Sequence, residues 1–542
     1  MYLRTTKRRN ADGSTVQYFQ LAENVWDPEK GHAVARVVHS FGRADELDRT
    51  ALQRLAKSIL RVFASEEALA AEPGVRILSA WHYGVVHVVE SFWRELGIDR
   101  ILRDQLAQAR IRQPLERALL AMVTQRVHRP ASKLACHEHW LPDEAFFPGA
   151  EGLALHHLYR ALDFLEAHKE TLEREVFFRT TDLFNVDVDL IFYDTTSLHF
   201  EIDEEDEVAE HGNKLAGAQR YEPLRRRGHS KNGRGDAPQI VVGLAVTRDG
   251  LPVRSWVFPG QTTDVTTVEQ VKKDLQGWRL GRCVFVGDAG MNSEENRRTL
   301  ALGAGKYILA TRIRAGDEVS REVVTRAGRY QKVADNLQVK EVVVGDGERR
   351  RRYVVCFNPE EAERQRKHRE KVLAALEEEL ATLRDPEPGE KHSKRACDLL
   401  TRPRYARYLR QTATGALRID RAAIDQEAKL DGKWVVTSND DTLTAEDMAL
   451  GYKQLMRVEA CWRTIKTGLR TRPIFHWTAH RICAHVSLCV LALLIERMAE
   501  IRARETWRNV SVISVVDGGA FSMIEGPVGH RLRFPFPFPV RS

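Results

Sequence analysis

The stretch Asp189-Leu-Ile-Phe-Tyr-Asp194 is a short apolar run that ends in an acid, and Cys283-Val-Phe-Val-Gly-Asp288 repeats that pattern later in the chain. Short apolar runs bounded by polar or turn residues are typical of buried strands. In α/β sheets, functional sites gather where strands end, because the loops there converge on one crevice. The two runs therefore predict two strands of one sheet, with Asp194 and Asp288 at their ends. The alternative is that each Asp only caps a turn.

The segments around these two strands predict a mixed α/β sheet. Two apolar stretches, 239–246 and 253–258, flank Arg248-Asp-Gly-Leu-Pro252, which is typical of a hairpin turn. Farther along, two helices and a strand are predicted over 263–277, 292–302 and 307–310. Hairpin strands followed by alternating helix and strand are typical of a mixed sheet packed against helices.

Changes in composition and periodicity divide the chain into six parts. Residues 2–43 alternate polar and apolar side chains around an Asp12-Gly13 turn, after which the spacing of apolar residues becomes helical. Strand-like pieces at 341–344 and 353–356 surround a charged helix, and we expect this segment to form a lobe outside the sheet. The predicted parts are a β-hairpin piece with a helix (1–70), a helical region (71–180), the first part of an α/β core (181–310), an insertion (311–440), the second part of the core (441–505) and a C-terminal tail (506–542).

A long helix in the second part of the core carries a third acid. The helix is predicted to begin at a cap on Thr444, which has an acid three residues on, and to end before Pro473. Tyr452, Glu459 and Lys466 are seven residues apart, so they share one face of this helix.

The surroundings of Glu459 on this helix are strongly basic. Arg463 and Arg470 join its face, and Glu459 is the single acid among six basic residues between 451 and 472. One carboxylate amid that many cations suits a metal ligand beside a phosphate backbone. The alternative is an exposed helix on which Glu459 pairs with Arg463.

Three carboxylates brought together suit the chemistry of phosphodiester bonds. Cleavage requires a nucleophilic water or 3′-hydroxyl and a stabilised leaving oxygen, and two divalent ions about 4 Å apart supply both. Hard oxygen ligands suit Mg²⁺, and no Ser, Cys or Tyr nucleophile is then needed.

These residues resemble three motifs of bacterial insertion-sequence transposases of the DDE superfamily, in particular the cut-and-paste group with a β-rich insertion before the Glu. The three motifs are Tyr193-Asp194-Thr-Thr-Ser197, Gly287-Asp288-Ala-Gly-Met291 and Tyr452-x6-Glu459-x6-Lys466. Further stretches similar to that group are Arg129-Pro-Ala-Ser-Lys133, His229-Ser-Lys-Asn-Gly233, Phe258-Pro-Gly-Gln261 and Arg472-Pro-Ile-Phe-His476. The resemblance covers roughly residues 115–500 and is specific only as a combination.

The resemblance implies a ribonuclease H-like core that is interrupted by the insertion. Asp194 would lie on its first strand, Asp288 on its fourth, and Glu459 on the helix after the insertion, where the three would hold Mg²⁺, with Mn²⁺ as a substitute. The enzyme would bind double-stranded DNA as a homodimer, cut at inverted-repeat ends and join the freed 3′-hydroxyl to target DNA. A hairpin step at the element end is also implied, and residues 71–180 are expected to contribute to DNA binding.

One position departs from the group's helix motif. The motif has an Arg two intervening residues after the Tyr, and that position is Leu455 here. Arg457 is close by but points away from Glu459, so Arg463, on the Glu459 face, is our candidate substitute.

Two charge blocks lie between the first strand and the hairpin. Residues 201–210 contain seven acids and no base, and residues 220–234 contain six bases and one acid. These blocks indicate either a self-neutralising loop or an arm that contacts phosphates, which dominate DNA affinity. The predicted DNA contacts are Tyr452, Arg463, Lys466, Arg470, Arg472, Arg225, Arg226, Arg227, Lys231 and Arg234.

The rest of the chain argues against several other classes. A charge of +7 over 542 residues permits a nucleic-acid partner, and the ten-residue apolar run from Val486 to Ile495 predicts a buried helix rather than a membrane span. Seven scattered cysteines and no secretory signal indicate a cytoplasmic, nucleoid-associated protein. Gly305-Lys306-Tyr307 lacks the Gly and Ser/Thr of a phosphate-binding loop, so no nucleotide cofactor is expected. His476 and His480, one helical turn apart, are interpreted as ordinary helix-end histidines rather than metal ligands.

Two other functions remain open on this evidence. One is a DNA-binding protein derived from a transposase, against which the three intact acids argue. The other is a structure-selective nuclease on the same fold, against which the large insertion and the N-terminal region argue. A strand-transfer assay on element-end DNA distinguishes all three.

Overall fold

The structure is a computed structural model, and it forms two compact units, residues 1–80 with 521–536 and residues 81–520 with 537–542. The residues that it describes are 2–9, 15–27, 32–43, 76–184, 189–207, 223–231, 233–278, 283–314, 317, 319–383, 394–510, 520–525 and 531–535.

The strands are numbered in chain order. They are β1 Tyr2–Arg9, β2 Thr15–Asp27, β3 His32–Arg43, β4 Arg76–His82, β5 Leu190–His199, β6 Gln239–Thr247, β7 Pro252–Pro259, β8 Val284–Gly287, β9 Lys306–Thr311, β10 Gln331–Ala334, β11 Leu337–Val344, β12 Arg351–Phe357, β13 Leu409–Gln411, β14 Leu417–Ile419, β15 Lys433–Ser438, β16 Ala520–Glu525 and β17 Arg531–Pro535.

The α-helices are numbered in the same way. They are α1 Gly84–Glu95, α2 Ile98–Gln108, α3 Leu115–His128, α4 Lys133–Ala135, α5 Leu155–Phe184, α6 Asp264–Asp274, α7 Glu294–Ala301, α8 Pro359–Ala381, α9 Lys394–Thr401, α10 Pro403–Ala406, α11 Arg421–Ala428, α12 Ala445–Lys453, α13 Met456–Arg463 and α14 Ala479–Ala503. Short 3₁₀ turns occupy Ala289–Met291, Leu302–Ala304 and Gly347–Arg349, and π turns occupy Cys136–Glu144, Ser320–Val324 and Thr464–Gly468.

The first unit contains two three-stranded sheets. Strands β1, β2 and β3 pair in antiparallel order, which confirms the predicted hairpin, although its Asp12-Gly13 turn and the helix predicted after it lie outside the described residues. The second sheet has the order β17-β16-β4. The prediction of a C-terminal tail over 506–542 is therefore wrong for 520–525 and 531–535, because β16 pairs with both β17 and β4.

A helical layer of the second unit confirms the prediction of a mainly helical region before the sheet. Helices α1, α3 and α5 pack with α14, and their contacts bury large side chains such as Trp93 and Leu158. The indole of Trp93 donates to the buried carboxylate of Glu116 over 2.9 Å, so its polar atom is paired inside this core. Helix α14 is long and apolar enough to cross a membrane, but 94% of its most apolar window is buried inside the protein, as the buried-helix prediction required.

A nine-stranded sheet forms the centre of the second unit, with the order β10-β11-β12-β15-β9-β8-β5-β6-β7. Strands β5, β6 and β7 are antiparallel neighbours, whereas β5, β8 and β9 are parallel neighbours. The predicted ribonuclease H-like core is therefore confirmed over β5 to β9, with helices α6 and α7 in the connections to β8 and β9.

The predicted insertion differs from the structure. Strands β11 and β12, which contain the stretches 341–344 and 353–356, extend the central sheet, and β15 joins them to β9. The prediction of a lobe that begins at 311 is therefore wrong for these strands. The physical reason is that β9 would otherwise present an open edge of unpaired N–H and C=O groups. A separate small core does form among helices of the insertion, from Val372, Leu376, Leu399, Tyr405 and Tyr408.

The helix predicted from Thr444 to the residues before Pro473 is divided. Thr444 and Asp447 form the expected capping box, but α12 ends at Lys453, α13 starts at Met456, and a π turn follows. Between the two helices, the N–H of Leu455 donates to Tyr452 O over 2.9 Å, a tighter three-residue spacing. The prediction of one continuous helix is therefore wrong, since both the tight turn and the π turn change the helical phase.

Candidate active site

Asp194 lies within β5, which continues to His199, whereas Asp288 directly follows the last residue of β8. The prediction that both acids stand at strand ends is therefore wrong for Asp194, because antiparallel pairing with β6 extends β5 beyond it. Parallel strands β5 and β8 pair Tyr193 with Gly287, so the next residue on each is one of the two acids. The ring of Tyr193 is fully buried over Gly243, where an added Cβ would lie 2.5 Å from the tyrosine oxygen. Close packing of β5 on β6 therefore holds the backbone that carries Asp194.

Asp288 is held by two donors. Its Oδ1 accepts the N–H of Ala289 over 2.6 Å and the hydroxyl of Tyr452 over 3.3 Å. Burial, followed by the charge of Asp288, raises the pKa of the Tyr452 hydroxyl well above its usual value, so this hydroxyl is a donor at neutral pH. Helix α12 is thereby connected to the loop that follows β8.

Asp194 is a largely buried carboxylate. Burial raises its pKa to about 6, the Lys231 ammonium opposes that rise, and the neighbouring charges of Asp288 and Asp264 add to it. The raised pKa follows from the cost of placing negative charges close together and away from water. A further cation at this position would lower that cost.

Asp264, which was not predicted from the sequence, belongs to the same site. Its carboxylate accepts the hydroxyl of Thr195 and lies 3.0 Å from the ammonium of Lys231. The sequence offered only a weak signal, an acid at the first position of α6, where acids are common because they stabilise the helix dipole. We call Asp194, Asp264 and Asp288, together with Lys231, the carboxylate edge.

Lys231 was predicted as a DNA contact, and the structure places it at the carboxylate edge. Its Nζ lies 3.8 Å from Asp194 Oδ1 and donates to the backbone oxygen and the hydroxyl of Thr195 over 2.9 and 2.8 Å. The ammonium therefore supplies positive charge between the two aspartates rather than extending from the surface.

Glu459 lies on α13 and is exposed. Its charge, like those of Asp288 and Asp194, raises the pKa of the Tyr452 hydroxyl, so the three predicted catalytic acids surround one tyrosine. Among the described residues, however, no group of three His, Cys, Asp or Glu side chains is gathered tightly enough to hold a metal ion. The three acids therefore face one region without forming a ready-made three-ligand site.

The predicted basic contacts of this region occupy different positions. Burial, followed by the charges of Arg472 and Lys231, lowers the pKa of Lys466 to about 8, and the charge of Asp194 opposes this shift. A nitrogen of Arg472 lies 2.6 Å from His199 Nδ1 at the end of β5. Lys466 and Arg472 thus lie near the β5 end of the site, whereas Arg463 and Arg470 are exposed.

The basic block before β6 is largely paired with the acidic block. Arg225 forms an ion pair with Asp206, and Arg226 lies 3.2 Å from Glu205. Arg227 donates to backbone oxygens of Asp203 and Asp236, and Arg234 pairs with Asp236. The self-neutralising interpretation describes these residues better than a free phosphate-contacting arm, while residues 208–222 lie outside the described part.

Leu455 occupies the position of the motif Arg, and it is 8% exposed within the main hydrophobic core. An arginine there would bury its charge, because the tight turn between α12 and α13 directs this position inward. The structure thus explains why Leu is suited to this position.

Comparisons with known proteins agree with this architecture. Residues 206–495 match the family model described as the transposase DDE domain, and residues 3–72 match the N-terminal domain of the IS1634 family transposases. The first span contains Asp288, Glu459 and Lys466 and begins shortly after Asp194. No curated protein matches the chain.

One solved structure that matches part of this chain is the piggyBac transposase synaptic complex with hairpin DNA, determined by cryo-EM. It has a TM-score of 0.33 and 11% identity, over 74% of this chain and 71% of that chain. The match to the transposase DDE domain, in contrast, spans more than half of the 542 residues. The N-terminal match is a similarity over 70 residues, whereas the match to the transposase DDE domain shows that the chain belongs to the DDE transposases, a family of phosphoryl-transfer enzymes.

Proposed function

We propose that this transposase binds the inverted-repeat ends of an insertion sequence and catalyses metal-dependent cleavage and strand transfer with Asp194, Asp288 and Glu459. The observation that carries the proposal is the position of Tyr452. Its hydroxyl donates to Asp288, and the charges of Asp194 and Glu459 both raise the pKa of that hydroxyl. Acids from two strands and one helix thus face one region, as expected for a site that binds cations and phosphates.

The donor set at the carboxylate edge fits the divalent metal that the family implies. Asp194 and Asp288 offer hard carboxylate oxygens, and burial of Asp194 creates a need for positive charge that Lys231 meets only from 3.8 Å. Mg²⁺ is the ion that we propose, with Mn²⁺ as a substitute, held by Asp194, Asp288 and Glu459. When bound, it would lower the pKa of a water and stabilise charge on the reacting phosphate.

The protein's own groups have separate parts in this scheme. Tyr452 orients Asp288 by its hydrogen bond, and Lys231 keeps Asp194 and Asp264 compensated while the site is free of substrate. Lys466, close to Asp194, would contact a phosphate of the strand that enters the site.

A strand-transfer assay on element-end DNA with Mg²⁺ tests the proposal. Asp194→Asn is expected to abolish cleavage and joining while end binding is largely retained, because the substitution removes a metal ligand but few phosphate contacts. Asp189→Asn is a matched control, since Asp189 precedes the same strand but is paired with Arg248 and half exposed.

The outcomes separate the candidate functions. Cleavage without joining would favour the structure-selective nuclease, and binding without cleavage by the wild-type protein would favour a DNA-binding protein. Equal loss of binding and cleavage in Asp194→Asn, with the fold intact by circular dichroism, would contradict the assignment of Asp194. The proposal has three further parts. Homodimer formation on DNA is tested by crosslinking, and a hairpin step is tested by analysis of the cleaved DNA ends. A cytoplasmic, nucleoid-associated location is tested by cell fractionation.

A further inference from the structure

A second charged site lies on the helical side of the large unit. A cavity of about 350 Å³ is lined by residues from two stretches that are remote in sequence, together with Arg126, Tyr159 and His485. The first stretch is Pro130–Lys133, and the second contributes Arg470, Arg472, Pro473, Phe475 and His476. Ligand clefts in proteins start at roughly this size. We call this site the cationic cavity.

The lining of the cationic cavity is basic. Arg126, Lys133, Arg470 and Arg472 contribute to it, and none of the described lining residues is acidic. Lys133 and Arg126 are each only 5% exposed. Buried cations are normally paired with an acid, because removing an uncompensated charge from water is strongly unfavourable.

Neutral groups and backbone atoms hold these cations in place. The ammonium of Lys133 lies 2.6 Å from Nδ1 of His485, whose Nε2 lies 3.0 Å from the oxygen of Thr471. The guanidinium of Arg126 donates to the oxygens of Ala131 and Arg470 over 3.0 and 3.2 Å. These contacts orient the cations but provide no negative charge.

Two buried N–H groups of the lining have no hydrogen-bond acceptor in the described structure. The Nε of Arg126 and the Nε of Arg472 are both buried, and each lacks a hydrogen-bond partner in the described structure. A buried N–H without an acceptor is unfavourable, because it has lost its hydrogen bonds to water without replacing them. An oxyanion in the cavity would satisfy such donors and compensate the ammonium of Lys133.

We propose that the cationic cavity is a binding site for a tetrahedral oxyanion, namely a phosphate group. The two sources of that chemistry are a phosphate of a bound DNA strand and free inorganic phosphate, and only the first rests on the proposed function. The exposed side chain of Phe475 lies at the rim, so the cavity is reached from the surface. Phosphate oxygens prefer the charged donors that Arg and Lys provide.

Protonation of Lys133 supplies a readout that does not require catalysis. Burial, followed by the charge of Arg126, lowers the pKa of Lys133 to about 7. The other groups that face it are neutral near that pH, because the pKa of His476 is lowered to about 3, that of His485 well below its usual value, and that of Cys136 raised to about 12. Cys489 also faces Lys133.

The first experiment uses sulfate, an oxyanion that does not titrate near neutrality, with the full chain. Calorimetric titration at pH 7.5 in two buffers of different ionisation enthalpy is expected to show that sulfate binding takes up a fraction of a proton. Lys133→Met should abolish both the binding and the proton uptake. Lys367→Met, which removes the same charge from the exposed face of α8, should behave as wild type.

The second experiment identifies the source of the phosphate. Affinity for a short DNA duplex is measured across a salt series for wild type and both variants. If the cavity takes a DNA phosphate, Lys133→Met lowers the slope of log affinity against log salt by about 0.9, and Lys367→Met leaves it unchanged. An unchanged slope together with sulfate binding assigns the cavity to free phosphate.

Two results would overturn the proposal. One is the absence of sulfate binding above the level seen with chloride at the same ionic strength. The other is sulfate binding that Lys133→Met leaves intact. Because the sulfate measurements need neither cleavage nor DNA, a failure of the catalytic assignment leaves them interpretable.

Discussion

The carboxylate edge and the cationic cavity bury charge in opposite ways. At the carboxylate edge, Asp194 and Asp264 share the ammonium of Lys231, which lies 3.0 Å from Asp264 and 3.8 Å from Asp194. In the cationic cavity, Lys133 faces Arg126 and a neutral histidine. A buried charge needs a partner of the opposite sign, so the first site provides its own and the second requires one from outside. Charge balance thus distinguishes a site that exchanges cations from a site that recruits an anion.

The largest expected effect concerns Glu459, the third acid of the proposed metal site. Glu459→Gln should reduce cleavage on the order of 10³-fold, because it removes a ligand of the ions that stabilise the reacting phosphate by several kcal/mol. Glu446→Gln, an exposed acid on the preceding helix, is the control. Cleavage rates under single-turnover conditions provide the measurement. Near-normal cleavage would assign the third ligand elsewhere, with Asp264 as the next candidate.

A second prediction tests the internal compensation of the carboxylate edge. Lys231→Met should destabilise the metal-free protein by about 1 kcal/mol, a modest value because the lysine side chain is 33% exposed. Added Mg²⁺ should stabilise this variant more than wild type, since the ion takes over the charge of the ammonium. Urea unfolding with and without Mg²⁺ measures both effects, and Lys332→Met, a surface lysine beside Asp335, is the control. An equal response to Mg²⁺ in both proteins would separate Lys231 from the metal site.

The third prediction concerns pH and the cationic cavity. The pKa of Lys133 is lowered from 10.5 to about 7 in the folded protein, so the unfolded chain binds more protons between those values. The destabilising contribution of Lys133 is therefore complete below pH 7 and disappears as pH rises toward 10.5. Lys133→Met should exceed wild type in stability at pH 7, and the difference should shrink with rising pH. A difference that is constant from pH 7 to 10 would show that Lys133 carries its charge throughout.

The smallest expected effect is on nonspecific DNA affinity. Lys466→Ala should weaken binding to element-end and unrelated DNA by a similar factor and lower the salt slope by about one unit, as expected for a phosphate contact. Arg463→Ala should do the same if Arg463 replaces the arginine that is missing at Leu455. An unchanged slope in both variants would mean that the DNA follows another path, and Arg225 to Arg234 would be tested next.

The parts of the fold that follow from local patterns were predictable from the sequence. The runs before Asp194 and Asp288 are strands, because continuous apolar segments of that length favour strands buried on both faces. The cap at Thr444 was predicted for a similar reason, since its two hydrogen bonds depend on residues three positions apart. Both features are determined by neighbours in the chain.

The features that the sequence did not reveal depend on contacts between remote segments. Asp264 joins the carboxylate edge only because α6 begins beside Thr195 of β5, and Lys231 reaches the same place from a loop. The break at Leu455 arises from tertiary burial, which no helical periodicity reports. The cationic cavity likewise combines Lys133 with His485, two residues that only the folded chain brings to 2.6 Å.

The pairing of β9 with β15 has a consequence for how the protein is made. On the ribosome, β9 emerges long before β15, so a growing chain carries an unpaired strand edge while the whole insertion is translated. Such edges invite association with other chains, and pairing between distant segments is slow. The helix with Glu459 is translated after β15, so a prematurely terminated chain has both an open edge and an incomplete set of acids. Damaged copies of the gene should therefore give products that aggregate or are degraded instead of cutting DNA.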